Sequence, residues 1–196
     1  MSKYIDFYFD FISPYSYIAH KKIRLIEKNQ NIKFKYKPIL LGGLHNLSGI
    51  TAPAFIKKKS KFIVRDCQMV AKKSNINFKF NPKFPINSLD LMRGILTIKP
   101  KQKKNYIDSF YDAYWNYKLN LKNKKIISNI LKKNKINKTL FFKKINNKKI
   151  KDRLKKLTKE AFKKDIFGAP TFVVNNKIFW GQDRLDYALE EYKRSI

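Results

Sequence analysis

Two short stretches of this chain place polar or special backbone chemistry where secondary structure changes. Ser13-Pro14-Tyr15-Ser16 stands between an alternating apolar run and a helical pattern, and Ala169-Pro170-Thr171 stands just before a second apolar run. Backbone N–H groups at the start of a helix lack intrahelical partners, and the helix dipole favours negative charge there. A serine hydroxyl at that place can cap the helix, with Pro14 at the first helical position, or it can steady a bound anion. On the residues alone both readings of Ser13 stand. Gln182 and Asp183 open the last helical pattern, and Asp183 reads as its N-cap. The other reactive residue types are sparse. Cys67 is the single cysteine, so an internal disulfide and a cysteine-based metal cluster are both excluded. It lies in a helical pattern and reads as a small buried residue. His20 and His45 are too few and too far apart in sequence to suggest a metal site, so none is expected.

The elements that must position these residues follow from periodicity. Lys3 to Phe11 alternates Ile5, Phe7 and Phe9 against Tyr4, Asp6, Tyr8 and Asp10, which is a strand. A helix follows from Tyr15, with Ile18, Ala19, Ile23 and Ile26 at helical spacing. Ile32 to Leu40 then alternates apolar and basic residues, so the start of the chain is a βαβ unit with a right-handed crossover. Gly42-Gly43 breaks the pattern, and a loop is expected through Pro53. Helices are expected over 54–74, after the Asn87-Ser88 cap, and from Lys101 to about Tyr117, where Tyr106, Ile107, Phe110, Tyr111, Tyr114 and Trp115 share one face. Phe172 to Val174, the Asn175-Asn176 turn and Lys177 to Trp180 form a hairpin, and a final helix follows. The chain is thus α/β. Its ends, 1–40 and 151–196, build one sheet domain, and residues 41–150 are a large all-helical insertion.

Charge needs separate treatment. The 196 residues carry 45 Lys or Arg against 14 Asp or Glu, a formal net charge of +31. Such a balance attracts anions in general and raises nucleic acid as a partner. Only six of the cations are arginine, at 24, 65, 93, 153, 184 and 194, and specific readers of phosphate and base edges favour arginine forks. Lysine, asparagine and isoleucine are enriched together, which fits a compositional bias of the source, so nucleic acid is not the expected partner. Residues 118–164 hold nineteen Lys or Arg against Asp152 and Glu160, yet keep apolar residues at helical intervals. Short ordered helices with solvated lysine faces are expected there rather than a disordered tail. No apolar run is long enough to span a bilayer and no charged-then-apolar leader is visible, so a cytoplasmic protein with no membrane contact is expected.

A βαβ unit, a proline before a strand, a hairpin and a last helix are the parts of the thioredoxin-like fold. Ser13-Pro14-Tyr15-Ser16 occupies the place of the redox Cys-x-x-Cys, and Ala169-Pro170-Thr171 that of the cis-proline. Without thiols, disulfide exchange at that place is chemically unavailable. Three segments, Asp6 to Tyr17, Phe167 to Val173 and Phe179-Trp180-Gly181-Gln182-Asp183-Arg184, resemble the kappa-class glutathione transferases, and within them the 2-hydroxychromene-2-carboxylate isomerases. The three motifs occur in the right order with a helical insertion between them, and the topology covers the whole chain.

The resemblance implies a glutathione-dependent enzyme that interconverts 2-hydroxychromene-2-carboxylate and trans-o-hydroxybenzylidenepyruvate. Glutathione is the cofactor, a small aromatic molecule the substrate, and a homodimer the usual assembly. By resemblance Ser13 contacts the glutathione sulfur as the catalytic residue. Ala169, beside Pro170, pairs its backbone with the glutathione cysteine, and Gln182 and Asp183 hold the γ-glutamyl end. Lys59 is the counterpart of a lysine that pairs the glycine carboxylate, and Phe84 and Asn87 line the substrate. Asp183 therefore carries two readings, cap and ligand. One departure is clear: Gly49-Ile50 stands where the family has Gly-Asn, so one hydrogen bond to glutathione is missing and another small thiol is left open. Two other readings are a general kappa-type transferase or peroxidase acting on other electrophiles, and a basic thioredoxin-fold binding protein that uses 118–164. Lysines of the insertion are the expected partners of a substrate carboxylate.

Overall fold

The computed structural model describes residues 4–194. Lys3, where the sequence places the start of the first strand, lies outside the described residues. Strand β1 (Ile5–Phe9) runs into helix α1 (Pro14–Asn29) and returns to β2 (Phe34–Pro38). β1 and β2 are parallel, with Ile5 opposite Phe34 and Phe9 opposite Pro38. At the far end of the chain β3 (Thr171–Val174) and β4 (Lys177–Trp180) form the expected hairpin, and β3 lies antiparallel to β1. The sheet order is β2-β1-β3-β4. Asn175 and Asn176 both have positive φ, 51° and 64°, which a two-residue hairpin turn of this hand requires. This is a thioredoxin-like sheet with its helical insertion, as the sequence predicts.

Alternation along β1 decides what each face of the sheet meets. Ile5, Phe7 and Phe9 are wholly buried among α1, the last helix α9 (Leu185–Lys193) and α5 (Pro100–Trp115). Tyr8 faces the other way and packs with Ile39, Leu44, Ala161 and Ile166. The aromatic face read on α5 is the centre of the larger core: Tyr106, Phe110, Tyr111, Tyr114 and Trp115 are all buried. Each such side chain contributes about 1.5–3 kcal/mol by burial. Two of them also bond the backbone that leads to α1. Trp115 Nε1 donates to the Phe11 carbonyl at 2.8 Å, and the Tyr111 hydroxyl donates to the Asp10 carbonyl at 3.3 Å. Residues of the inserted segment and of the sheet belong to one continuous core.

The insertion contains α2 (Leu41–Leu47), α3 (Lys57–Lys73), α4 (Leu89–Thr97), α5, α6 (Lys124–Lys133) and α7 (Lys138–Ile145), and α8 (Lys148–Phe162) leads back to the sheet. The basic stretch is ordered helix, and its asparagines explain why. Asn123, Asn137 and Asn147 cap α6, α7 and α8 by accepting from Lys125, Leu140 and Lys149 amides. Ile127, Ile130, Leu131, Phe141, Ile145 and Leu154 are buried while the lysines face water.

Two expectations need correction. Gly42-Gly43 does not open a loop; it lies inside α2. No local side chain caps α2, and the support comes from far away in sequence. The Leu40 amide donates to Thr158 Oγ1 at 3.0 Å and the Leu41 amide to Asp10 Oδ2 at 2.8 Å. Asp183 does not cap the last helix: it lies in a 3-10 turn (Gln182–Arg184), and its carboxylate accepts from Arg184 instead.

His20 shows how the helical segment is locked to α1. Its ring is buried, stacked on Tyr111, with Nδ1 2.8 Å from the Tyr36 hydroxyl and Nε2 2.8 Å from Asp108 Oδ1. Burial holds its pKa below the ordinary value, more than Asp108 raises it. Burial also pushes Asp108 up, but the His20 hydrogen bond and Arg24 outweigh this and hold the carboxylate below its usual range. A neutral buried imidazole resists protonation that the unfolded chain accepts near pH 6.5, so its contribution is lost as pH falls through about 6.5. Burial raises Asp10, which acts in the opposite sense: its contribution is greatest below its unfolded pKa and is lost as pH rises. The comparison that isolates His20 is therefore wild type against His20→Asn. The variant is expected to lose about 1–3 kcal/mol at pH 7.5 and to show a flatter fall in thermal midpoint between pH 7.5 and 5. Equal slopes for the two proteins would remove His20 as the source.

Candidate active site

Asp10 is the last residue before the β1–α1 turn, and its carboxyl is wholly buried. Oδ1 accepts from the Ile12 amide at 3.1 Å and Oδ2 accepts from the Leu41 amide, while Ser88 at the start of α4 works against the rise in its pKa. One buried group thus gathers the beginnings of α1, α2 and α4. Sequence reading placed Asp10 among the polar positions of a strand and missed this role. The signal available was weak: an acidic residue at the end of an apolar strand, three residues before Ser13.

Above that tie, Ser13 caps α1, with its Oγ accepting from the Ser16 amide at 3.1 Å. The same Oγ donates to the Ala169 carbonyl at 2.9 Å across 156 positions of sequence. The Ala169–Pro170 peptide is cis, as expected for that place in the fold, and Phe84–Pro85 is cis as well. The first-turn amides are nearly all engaged. Ser13 N donates to Asp10 O, Ser16 N to Ser13 Oγ and Tyr17 N to Ser13 O, while Pro14 has no N–H. These bonds leave the Tyr15 N–H as the first-turn amide turned to other use. The Tyr15 hydroxyl donates to Asp66 Oδ2 at 2.7 Å, and burial raises its pKa. Burial pushes the Cys67 thiol up to about 12, with Asp66 adding to the rise against a Tyr15 hydrogen bond. Cys67 is thus an inert buried thiol, as the sequence implies.

Ser13, Ala169, Phe84 and Asn87 all line one cavity of about 630 Å³. Its walls are largely apolar, from Ile12, Leu40, Ile63, Ile86 and the rim residues Phe55, Phe167 and Trp180. Gly168 lets the Trp180 ring lie close against the Ala169-Pro170 edge, since a Cβ there would collide with the Trp180 indole nitrogen. No lysine or arginine is among the lining residues, so the expected lysine partners of a carboxylate are not found at this wall. Besides Ser13 and Tyr15, the polar side chains lining it are the neutral Asn46, Asn87, Ser88 and His45. Asn87 Oδ1 accepts from the Leu89 amide at 2.9 Å, which turns its NH₂ group to other partners. Burial holds His45 below the ordinary imidazole pKa, making it a neutral hydrogen-bonding group near pH 7. Ile50 also lines the cavity, as does Asn46 four residues earlier.

The other expected residues do not line that cavity. Lys59 is exposed in the first turn of α3, Pro170 is buried behind Ala169, and Gln182 and Asp183 sit beside α1. Lys22 Nζ donates to Gln182 Oε1 at 2.8 Å, and its charge feels Asp186 and Asp183. Gly181, at φ 110°, turns the chain into this corner, and its amide donates to the Pro170 carbonyl at 2.9 Å. Lys22 lies roughly 12 Å along α1 from Pro14, so two charged or polar stations flank the first turns of one helix. Sequence reading missed Lys22 because nothing local distinguishes it from the other lysines. Among the described residues no group of His, Cys, Asp and Glu could hold a metal ion. No helix among them is long and apolar enough to cross a membrane.

The model of the DsbA-like thioredoxin domain matches residues 4–193. The chain belongs to that family. It is 25% identical over 194 residues to a 2-hydroxychromene-2-carboxylate isomerase of Sphingobium xenophagum, covering 98% of each chain. It is 21% identical over 197 residues to glutathione S-transferase kappa 1 of Rattus norvegicus, covering 93% of this chain and 87% of that one. A solved 2-hydroxychromene-2-carboxylate isomerase superposes with a TM-score of 0.89 at 23% identity, covering 97% of this chain and 94% of the other. The likeness to named isomerases over nearly the whole chain supports an enzyme of the isomerase type. The absence of cysteine at 13 and 16 agrees with that likeness.

Asp10→Ala is expected to leave the Ile12 and Leu41 donors without their partner and to cost roughly 3 kcal/mol. The urea midpoint should fall with an unchanged slope. A midpoint equal to wild type would show that water replaces the carboxyl without loss.

Proposed function

We propose that this enzyme is a glutathione-dependent isomerase interconverting 2-hydroxychromene-2-carboxylate and trans-o-hydroxybenzylidenepyruvate. The observation that carries the reading is Ser13. A hydroxyl at a helix N-terminus, bonded to the Ala169 edge and open to an apolar cavity, stands where dithiol relatives would need cysteine. The full-length likeness to isomerases supports the substrate class, and the likeness to a glutathione transferase supports the thiol.

The residues present fit a small thiol peptide. Its sulfur belongs at Ser13, where the Tyr15 amide and the α1 dipole favour negative charge. Ser13 has one hydroxyl proton, given in this structure to Ala169 O, so it stabilises the sulfur by rotating away from that carbonyl. The γ-glutamyl end belongs in the corner of Lys22, Gln182, Asp183 and Asp186, where Lys22 suits a carboxylate and the aspartates an ammonium. Exposed Lys59 is assigned to the glycine carboxylate. When bound, glutathione supplies the nucleophile that adds reversibly to the conjugated substrate. The enzyme's own part is to hold charge at the sulfur, exclude water with Phe84 and Ile86, and orient the substrate carboxylate and phenol through Asn87, Asn46 and His45.

Turnover of the hydroxychromene carboxylate should require added glutathione, and Ser13→Ala should lower kcat/KM on the order of a hundredfold without changing the thermal midpoint by more than a few degrees. Full activity without any thiol, or unaltered kinetics in Ser13→Ala, would sink the reading. Lys22→Met has a separable effect: the KM for glutathione is expected to rise about tenfold, equivalent to roughly 1.4 kcal/mol, with kcat little changed. An unchanged KM would remove Lys22 from the binding corner.

A second reading is favoured by the missing cations at the cavity wall. A neutral aromatic electrophile needs no lysine, and the rim aromatics would suit it, so the enzyme would act as a general kappa-type transferase. Side-by-side turnover of the hydroxychromene carboxylate and a chloronitrobenzene separates the two.

A further inference from the structure

A second cavity, of about 320 Å³, lies behind α2 and is bounded by α4 and α8. Its floor is apolar: Leu40, Leu47, Leu89 and Leu154 line it. Its other lining residues include Arg93 of α4 and Lys151, Lys155 and Lys159, a stripe at four-residue spacing on α8. Arg93 is the unusual member. Its side chain is only 14% exposed, and its Nε is buried with no hydrogen-bond partner. Among the described residues its ion-pair partner is Asp90, at 3.8 Å from Nη1, and that carboxylate is itself more than half exposed, so water screens it. That Nε leaves a hydrogen-bond donor unsatisfied but is itself closed off by protein, so a ligand would meet the guanidinium through its Nη groups.

We propose that this cavity binds a small amphipathic monocarboxylate, with its carboxylate on Arg93 and its apolar body against the leucines. A guanidinium fork matches a carboxylate in geometry and charge. The lysine stripe, with Lys155 and Lys159 exposed, adds positive potential at the mouth, and the leucine floor rejects a head group that is polar on every side. The volume suits a body of about ten carbons rather than a long lipid. The site stands apart from Ser13 and needs no thiol. The cavities share Leu40 and Gly43 at α2, but the second holds none of the residues assigned to catalysis.

Calorimetric titration of the full chain with decanoate, at low ionic strength and without glutathione, tests the proposal. Saturable binding to one site is expected, weakening as salt is raised, with decanol at least tenfold weaker. Arg93→Met should weaken decanoate at least tenfold, and Phe84→Ala in the larger cavity should leave it unchanged. Because Arg93 is largely buried, the exposed pair Lys155→Gln and Lys159→Gln gives an independent arm, expected to weaken binding several-fold in a protein of unaltered thermal midpoint. No saturable binding, equal affinity for decanol, or loss of decanoate in Phe84→Ala but not in the Arg93 and lysine variants would each overturn it.

Discussion

The Asp10 carboxyl is the constraint on which the site depends. A buried carboxyl is tolerable only where its acceptor sites are filled, and here the Ile12 and Leu41 amides fill them, with Ser88 working against the rise in its pKa. Each belongs to the start of a different helix lining the larger cavity. The carbonyl of the same residue receives the Ser13 amide and the Tyr111 hydroxyl, so α1 and α5 are bound to the same point. The beginnings of α1, α2 and α4 cannot shift independently without stranding a donor. That rigidity serves a site whose working parts are one hydroxyl and one helix terminus, because electrostatic stabilisation acts only where the donors are already aimed.

Sequence made the frame legible where local pattern and tertiary use coincide. The β1 alternation, the aromatic face of α5, the Asn-Asn turn and the ordered basic helices all follow from side-chain period and capping chemistry, and all stand in the fold. The Ser13 to Ala169 juxtaposition was readable only through resemblance, since no local rule places residues 156 positions apart in contact. What escaped was fixed by distant partners. Helix α2 forms across Gly42-Gly43 because Thr158 and Asp10 supply its caps, and neither is near it in sequence. Asp183 looks like a cap in sequence, yet the 3-10 turn and Arg184 take its carboxylate. Lys22 is one of 39 lysines by composition, and only the folded corner with Gln182 singles it out.

Replacing two thiols by two hydroxyls changes what the same backbone can do. A serine at the helix cap cannot carry a disulfide, but it keeps the amides and dipole that would have stabilised a cysteine thiolate. Its hydroxyl is part of the cap and also bonds the Ala169 carbonyl. The cap reading and the ligand reading are therefore not rivals: the cap fixes Oγ at the cavity wall, and the second hydrogen bond sets the direction from which a bound group must draw it.

The large positive charge has to be weighed against where it is absent. No lysine or arginine lines the larger cavity, although 45 such residues populate the chain. A lysine inside that apolar wall would pay desolvation without a fixed partner in the free enzyme, whereas neutral amide and imidazole groups do not. Outside the wall, solvated lysines cost little and still act on anions over a distance of about 10 Å at moderate salt. The charge therefore attracts anionic molecules in general, while the larger cavity itself offers neutral donors. Behind α2 the arrangement is reversed, with a largely buried arginine and three lysines lining the cavity beside an apolar floor. The two cavities share Leu40 and Gly43 yet present different chemistry, neutral donors in one and cationic side chains in the other.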